Sequence, residues 1–170
     1  FEIFVFLFIT LFCSLGTWQL YRMQWKQELI SQISKGLKSV PIKYSQNFKK
    51  NYQRVILDGK YNFENQIYLY SLNDKGQPGY DVITPFETNS KENVLVNRGW
   101  IKKEFKNSPD INILSKNITG MLRQANRKNL FTPDNDINEN IWFFINLEDV
   151  QKATGKKFNK FIVYLEDQNI

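Results

Sequence analysis

Residues 1–20 read FEIFVFLFITLFCSLGTWQL, and Glu2 is their only charge. From Ile3 to Leu15 the run is apolar apart from Thr10 and Ser14. About 20 apolar residues span a bilayer's hydrocarbon core, whereas 10 to 14 suit a buried helix or the apolar region of a signal peptide. Trp18, Tyr21 and Trp25 follow where interfacial aromatic residues gather, with Arg22 and Lys26 placed to reach the headgroups. A cleavable signal peptide is the rival reading, with small residues in Cys13-Ser14-Leu15-Gly16. A lipoprotein site before Cys13 is opposed by the bulk of Phe12. Against cleavage, Trp18, Tyr21, Trp25, Leu29, Ile33 and Leu37 recur at helical spacing without a break. Pro41 then stops the helix, because the residue before proline avoids helical backbone. The expectation is an uncleaved transmembrane anchor over 1–20 and an amphipathic, basic stalk helix over 21–40. The chain opens on Phe1 rather than methionine, so further residues are expected upstream.

The net charge of +6 is concentrated just past this segment. Eight basic residues between Arg22 and Arg54 face Glu28 alone, a local charge of +7, while fifteen basic and fifteen acidic residues balance from Val55 onward. A nucleic-acid surface would interleave basic and aromatic side chains on one folded face. A basic collar following an apolar helix instead suits anionic lipid headgroups, at roughly 1 kcal/mol per residue near the surface. The positive-inside rule applied to this flank alone would leave the domain in the cytoplasm; the upstream flank needed for the comparison is missing, so orientation stays open.

Composition removes whole classes of chemistry. The chain has 170 residues, enough for one ordinary domain, and 42% hydrophobic against 24% charged residues is a folding composition. Histidine is absent, which excludes Ser-His-Asp triads and His-based zinc sites. A single cysteine excludes internal disulfides and CxxC pairs. Gly76 and Gly79 lack the following helix and lysine-serine pair of a phosphate loop. Asp134 with Asp136, and Glu148 with Asp149, read as solvated carboxylates, and the former lacks a calcium loop's glycine and distal glutamate. Asn117-Ile118-Thr119 matches a glycosylation acceptor, a pattern frequent by chance.

Beyond Pro41 the spacing turns to short β-rich runs. Strands are predicted at Val55–Tyr61, Gln66–Ser71, Tyr80–Thr88, Asn93–Ile101, Ile118–Arg123, Trp142–Leu147 and Phe161–Leu165, and a helix at Leu147–Thr154 ended by Gly155. Asn73–Gly79 and Asn89–Asn93 are turn-rich connectors, and Gly120 marks a bulge or a close backbone approach. The short connections favour an α+β fold: an anchor helix and stalk, then a mostly antiparallel, curled or barrel-like β domain over 41–170 with one or two short helices.

Val94-Leu95-Val96-Asn97-Arg98-Gly99-Trp100-Ile101 is the most informative stretch for function. Either Arg98 makes a fixed hydrogen-bond fork while Trp100 fills a core, or the two side chains grip a partner.

Several motifs in order resemble the Surfeit locus protein 1 family. They are Gly16-Thr17-Trp18-Gln19 with Arg22 and Trp25-Lys26; the Gly59–Tyr61 turn; Pro78-Gly79-Tyr80 leading to Thr84-Pro85-Phe86; and Val96–Ile101. Gly120 with Leu122-Arg123, Phe131-Thr132-Pro133-Asp134-Asn135, and Trp142 complete the order. The resemblance implies a non-enzymatic assembly factor for haem-copper cytochrome c oxidase that assists insertion of haem a into the catalytic subunit. It implies that catalytic subunit, other assembly factors and the lipid bilayer as partners, and no nucleic acid. It also implies a domain lying between two transmembrane helices, on the periplasmic side of a bacterial inner membrane or in the mitochondrial intermembrane space. Members usually reach their second helix through a histidine-bearing motif, and this chain stops at Gln168-Asn169-Ile170. No cofactor is assigned to these residues; haem a is at most a transient guest of the longer protein. Trp18, Arg22, Tyr80, Asn97, Arg98 and Trp100 are the expected residues of partner contact or its support. The alternative is a membrane-anchored extracytoplasmic module binding glycan or lipid on aromatic platforms. A hydrolase is disfavoured, since no activated nucleophile is evident.

Overall fold

The structure is a computed structural model, and it describes residues 1–47, 50–106, 117–125 and 128–166. Lys49 of the basic collar and the closing Gln168–Ile170 lie outside the described residues. The chain divides into two units, Phe1–Lys38 and Ser39–Ile170.

The first unit is one unbroken helix, α1 (Glu2–Lys38). Glu2 in its first turn and Lys35 and Lys38 in its last complement the helix dipole. The hydroxyls of Thr10, Ser14 and Thr17 each donate at 2.9 Å to the carbonyl four residues earlier, so these polar groups are satisfied within the helix. Phe4, Phe8 and Phe12 stack along one face, with ring centroids 5.2 and 6.2 Å apart. The helix is long and apolar enough to cross a membrane, and none of its most apolar stretch is buried.

The second unit holds β1 (Ile42–Lys43), β2 (Arg54–Tyr61), β3 (Ile67–Leu72), β4 (Pro78–Thr88), β5 (Asn93–Lys102), β6 (Asn117–Gln124), β7 (Ile141–Trp142), α2 (Leu147–Thr154) and β8 (Phe161–Leu165). The strands form one sheet in the order β1-β2-β6-β8-β5-β4-β3-β7. It is mixed: the β2–β4, β2–β6, β3–β4, β4–β5 and β6–β8 pairings are antiparallel, as most were expected to be, while β1–β2, β3–β7 and β5–β8 run parallel. The short-connection argument holds for the β3–β4 and β4–β5 hairpins and fails later. Between β5 and β8 the chain passes through two other strands and α2, which leaves room for a parallel return.

β2 pairs with both β6 and β4, so the succession β2–β6–β8–β5–β4 returns to its start. β4 makes this possible by changing neighbours along one edge. Residues 78–83 pair with β3, and residues 86–88 pair with β2. Pro85 stands at the changeover with its carbonyl accepting from the Asn62 N–H at 2.8 Å, so the N–H that proline lacks falls at a gap in the ladder. Gly59-Lys60-Tyr61 is therefore strand, as the run Val55–Tyr61 predicts, rather than the turn that the resembling motif suggests. A Cβ at Gly59 would stand 2.0 Å from the Glu87 carbonyl oxygen, so only glycine allows β2 this close to β4. At Gly120 the expected close approach is found, against the backbone of Tyr164.

Alternation places β5 between two cores. Val94 and Val96 join Val55, Leu57, Phe86, Leu122 and Val163 on one face. Leu95 joins Ile83, Ile162, Trp142, Ile145 and Val150 on the other, which α2 covers. Burying each such side chain contributes about 1.5–3 kcal/mol. The strand expected at Trp142–Leu147 shortens to Ile141–Trp142, because Asn135 Oδ1 takes the N–H groups of Phe143 and Phe144 and Asn146 caps α2 through Glu148 N–H. Gly155 ends α2 in the left-handed conformation, φ 69°, as expected.

Candidate functional site

The Asn97–Trp100 stretch is shaped by a bulge in β5. Asp81 lies opposite Trp100 and Ile83 opposite Asn97, so Arg98 and Gly99 together face Val82. Gly99 adopts φ 126°, and its N–H donates to Asn97 Oδ1 at 2.9 Å, which fixes the bulge from within the strand. The bulge aims successive side chains at different environments.

Arg98 is 1% exposed. Its guanidinium carbon lies 5.3 Å from the Tyr61 ring centroid and 4.9 Å from that of Phe63, and Nη1 donates to Gln66 Oε1 at 3.0 Å. The same Gln66 oxygen accepts from Thr84 Oγ1 at 3.0 Å, and Gln66 Nε2 donates to the Tyr68 hydroxyl at 3.0 Å. Asn140 completes the support: Nδ2 donates to the Gln66 carbonyl at 2.7 Å, and Oδ1 accepts from Trp142 Nε1 at 2.9 Å. Asn140 holds a left-handed backbone, φ 51°, at a cost this network offsets. Burial lowers the Arg98 pKa, and burial raises that of Tyr61 to about 12.

Asn97 hydrogen-bonds with Asp81 and Tyr164 rather than with the Arg98 network. Burial raises the Asp81 pKa, eased by Ser71, Asn97 and the charge of Arg123. Burial and then Asp81 raise the Tyr164 hydroxyl, over whose ring Arg123 sits at 4.9 Å. Tyr80 is 2% exposed and packs edge-on against Tyr68 and Tyr70, with centroids 6.1 and 6.4 Å away. Trp100 is half-buried; its Nε1 donates to the Ser71 carbonyl at 3.4 Å, and its ring covers Gly79.

Four of the six expected residues, Tyr80, Asn97, Arg98 and Trp100, thus lie on the paired strands β4 and β5 but face different surroundings. Trp18 and Arg22 are one turn apart on exposed α1, with the guanidinium 5.4 Å from the indole centroid. Gln66 and Asn140 were not anticipated. Gln66 reads as the first residue of a strand but closes the short 3-10 turn at Phe63–Asn65. Beside this network a cleft of about 610 Å³ is lined by Tyr61, Phe63, Glu87 and the lysines 60, 91 and 156. Lys156 and Lys91 bond the two Glu87 oxygens at 2.8 and 3.1 Å and lower its pKa. Among the described residues, no group of three His, Cys, Asp or Glu side chains is placed to hold a metal.

The SURF1 family model matches residues 6–169. The chain belongs to the SURF1 family. Among SURF1 relatives, a SURF1-like protein of Rickettsia conorii is 29% identical over 98% of this chain and 71% of its own length. Surfeit locus protein 1 of Takifugu rubripes is 31% identical, covering 83% of this chain and 69% of the relative. The yeast cytochrome oxidase assembly protein SHY1 is 35% identical over 56% of this chain and 26% of itself. The motifs that resemble the SURF1 family supply much of the Arg98 site: Tyr61 from Gly59–Tyr61, Thr84 ahead of Pro85-Phe86, Arg98 itself, and Trp142.

Proposed function

We propose that the chain is a membrane-anchored assembly factor for haem-copper cytochrome c oxidase, assisting haem a insertion into the catalytic subunit. Membership of a family with a member named for cytochrome oxidase assembly carries this reading, and α1 supports the anchoring. Residues 1–20 would cross the bilayer and 21–40 form the stalk, with the β domain periplasmic in a bacterium or facing the intermembrane space in a mitochondrion. Other assembly factors are further partners.

The role is structural rather than catalytic. Haem a is cargo in this reading, and these residues would hold the receiving subunit. Exposure divides the work. Trp18 and Arg22 on α1, and half-exposed Trp100, are placed for contact, with aromatic and Arg anchors of the kind that dominate interfaces. Buried Tyr80, Asn97 and Arg98 support the β4–β5 region that carries Trp100.

Affinity purification of the tagged full chain from mildly solubilised membranes tests this. The oxidase catalytic subunit should co-purify, and Trp18→Ala with Arg22→Ala should release it while the β domain still melts normally. Recovery of a folded chain with no oxidase subunit would refute it.

A further inference from the structure

The two most exposed apolar side chains described after Ser39 are neighbours. Leu130 is 98% and Phe131 94% exposed, in the loop between β6 and β7. The turn that carries them is firmly built. Asn129 Oδ1 accepts from the Phe131 N–H at 2.9 Å and from Thr132 Oγ1 at 2.8 Å, while the Thr132 N–H returns to the Asn129 carbonyl at 3.1 Å. Pro133 follows with its fixed φ. Asn135 then ties the loop to the Phe143–Phe144 backbone through three hydrogen bonds of 2.9, 3.1 and 3.3 Å. These bonds hold Leu130 and Phe131 outward, where a slack loop would fold them onto the domain.

We propose that the Leu130–Phe131 tip inserts into the interfacial layer of the bilayer to which α1 tethers this domain. The proposal rests on the reading of α1 as a membrane anchor. Ser39 follows Lys38 directly, so an anchored α1 tethers the domain to the bilayer through the stalk, and tethering makes a weak second attachment effective. The tip is convex, and an aromatic and an aliphatic side chain on one protrusion suit a fluid interface. Lys128 pairs with Asp134 beside the tip, so these two charges offset each other. Apolar contact therefore drives insertion, and salt should not weaken it.

The test uses the full chain in phosphatidylcholine–phosphatidylglycerol vesicles, with an environment-sensitive dye on one cysteine. Cys13, the sole cysteine, reports on α1. Cys13→Ser combined with Leu130→Cys reports on the tip, and Cys13→Ser with Lys75→Cys on the exposed β3–β4 loop is the aqueous control. The label at 130 should be several-fold better shielded from iodide than that at 75, be quenched by a lipid-borne nitroxide, and stay so in about 0.5 M salt. A label at 130 as accessible as the control, with Cys13 shielded, overturns the tip proposal alone. Shielding that appears only after other membrane proteins are added overturns it in favour of a protein groove. An accessible label at Cys13 removes the anchor, and the tip proposal falls with it.

Discussion

Arg98 Nη1 donates to Gln66 Oε1 at 3.0 Å, although 32 residues separate the two in the chain. A buried guanidinium is tolerated because rings of Tyr61 and Phe63 lie within 5.3 Å of it and its fork meets an acceptor fixed by Thr84 and Asn140.

Arg98→Ala should destabilise the β domain by about 3 kcal/mol, since it leaves a cavity beside the Tyr61 and Phe63 rings and removes a charge-assisted hydrogen bond to Gln66. Arg98→Met should cost less, because it fills the space without a buried charge. Arg98→Lys should not rescue, lacking the planar fork. Thermal melts of the detergent-solubilised chain give the order; an unchanged melt for Arg98→Ala would contradict it.

Asn140 separates hydrogen bonding from backbone strain. Asn140→Ala loses both side-chain bonds and keeps a positive φ, so it should cost about 2 kcal/mol. Asn140→Gly loses the same bonds but relieves the φ of 51°, and should cost less. Equal melting temperatures for the two variants would refute the strain.

Gly59→Ala places a methyl 2.0 Å from the Glu87 carbonyl oxygen and must push β2 from β4, at about 3 kcal/mol. Gly16→Ala on α1 meets nothing within 4 Å and should leave the same β-domain melt unchanged. Comparable melts for both would show that the β2–β4 approach is not tight.

Burial raises the Asp81 pKa above its ordinary 3.8, so between the two values the folded chain holds a proton that the unfolded chain has released. Stability from this group is complete below 3.8 and falls as pH rises through the folded value. Asp81→Asn should flatten that part of the stability–pH curve and gain on the native chain as pH rises. A parallel pair of curves would rule out Asp81 as the source.

Those elements legible in the sequence are the ones set by local periodicity. α1 follows from apolar spacing that runs to Leu37, and the end of α2 from Gly155. The β3–β4 hairpin follows from Asn73, whose Oδ1 accepts from the N–H groups of Lys75 and Gln77 at 3.0 and 2.9 Å. Pairings made over long distances are not legible. Nothing near Phe161 announces that β8 enters beside β5 in parallel, and nothing near Trp142 announces that Asn135 takes the next two N–H groups. For the site, Arg98 and Asn97 stand out as polar residues inside an apolar strand. Their partners do not, because Gln66 and Asn140, 74 residues apart, each sit among polar neighbours that look like surface.

Deletion of the gene in an organism that makes an aa3-type oxidase, with reduced-minus-oxidised spectra of its membranes, tests the central claim most directly. The deletion strain should lose most haem a absorbance and oxidase activity, and regain both with the native chain but not with Arg98→Ala. A deletion strain with undiminished haem a absorbance and activity would contradict the assembly role.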